Sequence, residues 1–161
     1  KILKTLFENH PYEAVAFELH QLDNQNSEIG MGSVGILKEE MTEKYFLKWL
    51  GQKLEINFLR HSPFLNRKIK KVAVLGGSGS FAIPNAKEIN ADVLVTADLK
   101  YHDFFQAENQ IFLVDGGHYE TERFTKKLIH DHLIEKLPKF AVALSKSITN
   151  PVNYFYNGKK K

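Results

Sequence analysis

Cysteine is absent from the 161 residues. That excludes disulfides, thiolate metal centres and cysteine nucleophiles. Any metal has to be held by His, Asp, Glu, backbone or water. No apolar run approaches the roughly 18 to 20 residues of a membrane span, and no signal peptide is visible. Charge of one sign is scarce too. Lys and Arg number 22 against 19 Asp and Glu, a formal +3, and part of the surplus sits in Lys159-Lys160-Lys161, read as a frayed basic tail. So small an excess does not indicate nucleic acid or a membrane as partner. The initiator methionine is missing as well: the chain opens Lys1-Ile2-Leu3-Lys4, as expected of a processed or truncated piece of a longer protein. The default expectation is a soluble, cytoplasmic protein.

What is present is ordinary globular material, 43% hydrophobic and 25% charged. The length allows one domain with a real core, or one domain and a fragment of a second. Ile2, Leu3, Leu6 and Phe7 predict a short amphipathic helix over 1–9. His10-Pro11-Tyr12-Glu13 leads into a predicted strand, Ala14 to Leu19. Asp23 to Glu28 reads as a loop and Gly30 to Leu37 as a glycine-broken strand, with a junction nearby. Thr42 is placed to cap a helix carrying Phe46, Leu47, Leu50 and Leu54.

Further strands are expected at 56–60, 69–75, 93–96, 111–114 and 141–145, with an edge strand at 151–156. Helices are expected at 84–90 and 101–108, with a long amphipathic one at 121–137. Val72-Ala73-Val74-Leu75 is a continuous apolar run, the mark of a strand covered on both faces. From residue 69 onward strand, loop and helix alternate, which argues for an α/β layered fold with a mostly parallel sheet. In such sheets ligands sit at the carboxyl ends of strands, and the chemically rich segments all fall there.

The first is Gly76 to Ser80. It lacks the Gly-Lys-Ser/Thr of a P-loop. Gly77-x-Gly79-x-x-Ala82, with Asp98 about 20 residues on, loosely matches a dinucleotide fingerprint. Gly77, Ser78 and Gly79 are therefore candidate cofactor-binding residues. Pro84 delays the helix the fingerprint needs, so plain turn geometry stands beside that reading, as does a backbone cradle for an anion or a metal-bound oxygen.

The second is Thr96-Ala97-Asp98-Leu99-Lys100-Tyr101-His102-Asp103. Asp98 could bind metal or accept a proton, Lys100 could neutralise an oxyanion, and His102 could act as acid–base or support another group. The bland alternative is Asp98 as a helix cap with the rest solvated.

The third is Asp115-Gly116-Gly117-His118-Tyr119-Glu120-Thr121-Glu122. His118 and Glu122 are four apart and share one helix face. Imidazole and carboxylate suit zinc, iron or manganese, and a carboxylate can bridge two ions. Asp115 could be a further ligand or could cap the helix. A lone His-x-x-x-Glu pair is more often a surface hydrogen bond; the Gly-Gly turn and the strand-end position favour the metal. His10, His20, His61, His130 and His132 offer weaker signals, structural or solvated.

Taken together, Val72 to Ser80, Ala91 to Asp103 and Val114 to Glu122 resemble, in order and spacing, the NIF-three-like family, whose members often carry the name GTP cyclohydrolase 1 type 2 homologue. Thr149-Asn150-Pro151-Val152 fits as well. The resemblance covers about residues 30 to 156. His10-Pro11-Tyr12-Glu13 and the strand after it resemble the end of a PII-like or CutA-like insert, with Gly30-x-Gly32-x-x-Gly35 resembling the return to the main domain.

The resemblance implies the family's layered α/β fold over 30–161, with an insert remnant over 1–29. It also implies a dinuclear divalent-metal site in a ring-shaped homo-oligomer, with His118 and Glu122 matching the two ligands of the C-terminal half. The family's other ligands, a His-His pair and an Asp, belong upstream; this chain has no His-His pair. It is expected to carry part of the site, with Asp98, Lys100 and His102 lining it. Metal-dependent hydrolysis of an unidentified small molecule is the expected activity. A non-catalytic metal-binding or regulatory module and a nucleotide-binding enzyme are the alternatives.

Overall fold

Residues 1–20 and 30–155 are described in a computed structural model, in which the chain forms two compact units, Lys1–Gly30 and Met31–Lys161. The expected loop at 23–28 and the Lys159–Lys161 tail lie outside the described residues. In the first unit the predicted helix is present as α1 (Ile2–Asn9), closed by the His10 N–H donating to Leu6 O at 3.0 Å. Phe17 packs edge-on against Phe7, with centroids 5.3 Å apart. The expected strand at 14–19 does not form. A strand is held by a partner's backbone, and these residues pair with none of the described residues.

The second unit is built on a five-stranded sheet in the order β1-β3-β4-β5-β2. The strands are β1 (Ser33–Thr42), β2 (Arg60–His61), β3 (Lys68–Ser78), β4 (Val93–Ala97) and β5 (Phe112–Asp115). The centre, β3-β4-β5, is parallel, and β1 and β2 close the edges antiparallel. This is the expected α/β layered architecture. Every residue of β4 and β5 is buried, so their apolar runs are continuous because both faces are covered.

Alternation along the strands sorts the two faces. Val93, Val95, Phe112 and Val114 pack with Phe46 and Leu50 of α2 (Glu43–Leu54). Leu94 and Leu113 pack on the other side with Ile83 and Ala86 of α3 (Ile83–Glu88) and with Leu99 and Ala107 of a 3-10 segment and its lead-in. Thr42 caps α2 as predicted, its hydroxyl accepting from the Tyr45 N–H at 3.3 Å. Buried Glu43 ties the 61–67 loop to that helix start by accepting from the Leu65 and Asn66 N–H groups at 2.8 and 3.1 Å.

Four sequence expectations need correction. The 56–60 strand shrinks to Arg60–His61, because left-handed Glu55 and the Ile56 N–H bond to Gly51 O continue the α2 terminus. The long helix at 121–137 is two helices, α4 (His118–Glu122) and α5 (Thr125–Lys136). They part at Arg123, whose guanidinium turns away to Leu54 O and, at 3.0 Å, to Glu55. No residue of α5 is buried, so its apolar residues form no core stripe. Residues 141–145 and 151–155 form no strand. Among the described residues no helix is long and apolar enough to cross a membrane.

Candidate metal centre

Three strand ends meet at one edge of the sheet: β3 at Gly77-Ser78, β4 at Asp98, and β5 at Asp115, which leads into α4. Each end carries a backbone departure that serves the site. Gly77 lies at φ +68 and Gly117 at φ +83, both left-handed positions that glycine occupies at little cost. Asp98 is left-handed at φ 55, an unusual state for a residue with a side chain. It turns the carboxylate out of the buried strand toward α4.

His118, the first residue of α4, stands between two carboxylates. Its Nδ1 lies 2.6 Å from Asp98 Oδ2 and its Nε2 3.2 Å from Glu122 Oε2. The Ser78 hydroxyl donates to the same Asp98 oxygen. That bond first, and His118 second, hold the Asp98 carboxyl below the usual carboxylate range. The Asp98 hydrogen bond raises the His118 imidazole above its ordinary value against a desolvation cost, with Glu122 adding to the rise.

The frame around these groups is tightly bonded. The Thr121 hydroxyl accepts from the Gly77 N–H at 3.0 Å and lies 2.9 Å from Gly117 O. The buried Thr96 hydroxyl donates to Gly77 O at 3.1 Å. Asp115 accepts from Gly117 N–H at 3.0 Å, from Leu99 N–H at 3.0 Å and from Arg60 at 3.1 Å. It is therefore committed to holding the β4 and β5 exits together, not free as a ligand. The Gly77 amide is committed on both sides, and α3 begins only after a 3-10 turn at Ser80–Ala82. That spacing leaves no glycine-opened helix for a pyrophosphate.

Asp98, His118, Glu122, Gly77 and Ser78 come together as a group. Gly79 lies beneath it, where a Cβ would collide with Thr96 and Leu75. Lys100 and His102 are exposed. His102 packs edge-on to Tyr101, and among the described residues neither side chain hydrogen-bonds to Asp98, His118 or Glu122. Sequence reasoning passed over Thr96, Thr121 and Glu120. Thr96 could have been found, as the one polar residue of buried β4. Glu120 is buried and receives the Tyr154 hydroxyl at 3.2 Å and Asn150 at 3.5 Å, which anchors the 150–155 segment on α4. Burial pushes the Tyr154 phenol up, and Glu120 adds to it.

Imidazole beside carboxylates is a donor set for zinc, iron or manganese. A Cβ on Gly77 would fill the space next to Glu122 and, at 3.4 Å, His118 Cε1. The residues fit part of such a site. The imidazole stands between the two carboxylates, so three donors do not converge on one point. Among the described residues no cluster of three His, Cys, Asp or Glu side chains is arranged to hold an ion.

The fold and this strand-end cluster define an α/β protein with a polar cluster at the carboxyl edge of its sheet. The chain belongs to the Duf34/NIF3 (NGG1p interacting factor 3) family, whose profile matches residues 5–151. It is 36% identical over 162 residues to a GTP cyclohydrolase 1 type 2 homolog of Bacillus subtilis, covering 95% of this chain and 42% of that protein. A Staphylococcus epidermidis protein of the same name is 34% identical over 155 residues. In structure the chain is similar to the Bacillus cereus protein related to NIF3, with a TM-score of 0.71 at 34% identity, over 96% of this chain and 43% of that one. The chain thus spans less than half the length of each of these relatives.

Proposed function

We propose that this chain supplies the C-terminal share of a divalent-metal site in a metal-dependent hydrolase, with His118 and Glu122 as ligands. The observation that supports it most is the pairing of these two side chains one turn apart at a strand exit, against a glycine that leaves room beside them. Asp98 accepts the His118 Nδ1 proton, which fixes the tautomer and leaves Nε2 as the donor atom. Ser78 in turn steadies Asp98. Divalent ions bound there would supply Lewis acidity and an acidified water. The residues upstream in full-length relatives would complete the donor set as a dinuclear site. The exposed apolar side chains of α5, Leu128, Ile129 and Ile134, support assembly into a homo-oligomer.

The test is metal content of the full-length protein beside its His118→Ala and Glu122→Ala variants. Loss of bound zinc, iron or manganese in both is expected. Retention of full metal in both would sink the reading. A screen of phosphoester and cyclic-amide substrates then separates enzyme from binder, since metal without turnover favours a non-catalytic metal-binding role.

A further inference from the structure

Next to the candidate ligands lies a cleft of about 580 Å³ between the α4–α5 corner and the 145–152 segment. Its volume is that of a small-molecule site. His118 and Glu122 stand on its wall, so a ligand in it reaches them. The rest of the wall is apolar over most of its area and carries a few donors. Lys126 brings an ammonium with three N–H bonds, of which one is used, on Ser145 O at 3.2 Å. Thr125, Ser147 and Thr149 bring hydroxyls that have no side-chain partner among the described residues. Arg123 also borders the cleft, but its charge is spent on Glu55 and Leu54.

One end of the 145–152 segment is tied down beside the cleft. Glu120 grips Asn150 and Tyr154, and Tyr154 lies on Phe58 with ring centroids 4.0 Å apart. The end of the hydroxyl-bearing segment, at Asn150, is therefore tied to α4 by part-buried contacts.

We infer that this cleft is an anion subsite, in which Lys126, Ser147 and Thr149 grip a phosphate-type group of the substrate while the reacting end lies at His118 and Glu122. A tetrahedral oxyanion accepts several hydrogen bonds from different directions, which suits one ammonium and a set of hydroxyls from two chain segments. The Glu122 carboxylate at the end of the cleft would repel such a group unless a cation neutralises it. The inference rests on the metal reading for the position of the reacting end.

The experiment is calorimetric titration of inorganic phosphate into the full-length, metal-replete protein, with metal content measured on the same samples. Wild type binds phosphate, Lys126→Gln weakens it about tenfold, Lys126→Arg restores most of the loss, and Ser147→Ala with Thr149→Ala weakens it several-fold. All variants keep the wild-type metal content. No binding by wild type, or binding indifferent to these substitutions, overturns the subsite while leaving the metal reading intact. A wild-type protein that holds no metal overturns the metal reading instead, and the Lys126 dependence still decides the subsite.

Discussion

Gly77 and Glu122 share one space: the position a Gly77 Cβ would take lies 3.2 Å from the Glu122 carboxyl carbon and closer still to one of its oxygens. The absent side chain at the end of β3 is what lets a carboxylate from α4 face the strand exits. Gly77→Ala also puts a side chain at φ +68. A loss of about 1–3 kcal/mol in unfolding free energy is expected, together with reduced metal content. Gly35→Ala, where a Cβ meets nothing within 4 Å, is the control, expected within about 0.5 kcal/mol of wild type. Equal stability of the two variants in denaturant melts would contradict the shared-space argument.

The Asp98–His118 pair carries a pH signature in the metal-free chain. His118 is raised from its ordinary 6.5. Its contribution is fully present below that value and is lost as pH rises through the higher folded value. Asp98 is lowered from 3.8. Its contribution is present above 3.8 and is lost as pH falls through the lower folded value. Both operate together between those ordinary values, so Asp98→Asn destabilises most in that window. NMR titration of the His118 ring should show a midpoint above 6.5 that moves down in Asp98→Asn. An unmoved midpoint would refute the coupling.

Asp115 is predicted to matter for stability ahead of metal affinity. Replacing it with Ala strands the Leu99 and Gly117 N–H groups and frees Arg60. A cost of about 2–4 kcal/mol follows from the buried unpaired donor and the lost charge-assisted bond. Asp115→Asn retains an acceptor oxygen and should cost less. Thermal melts of the two variants check the order, and the reverse order would rule out the clamp.

Glu120 is expected to govern the 145–155 segment. Tyr154→Phe keeps the packing on Phe58 and loses one hydrogen bond, about 1 kcal/mol. Glu120→Ala releases both Asn150 and Tyr154, so trypsin should cut after Lys146 several-fold faster than in wild type while the sheet core stays protected. Unchanged cleavage kinetics would show that other contacts hold the segment.

The sequence by itself determined the sheet centre and its neighbours. Val93 to Thr96 and Ile111 to Val114 are buried on both faces, so burial is written into each residue without reference to a partner, whereas in the Val72–Leu75 run, expected to be covered on both faces, Val74 is exposed. The Thr42 cap and the spacing of His118 and Glu122 are local for the same reason. Where an element needs a distant partner, the sequence was silent. Among the described residues, Ala14 to Leu19 and Ala141 to Ser145 have strand-like composition but no ladder to join, and the apolar residues of α5 are not buried. The site divides in the same way. The Gly-Gly turn and the i, i+4 pair were readable, whereas the meeting of Asp98 with His118, the grip of Thr121 on Gly77 and the role of Asp115 as a clamp were not. Each of those contacts joins residues from different strand exits, and only the parallel registry of β3, β4 and β5 brings the three exits to one edge.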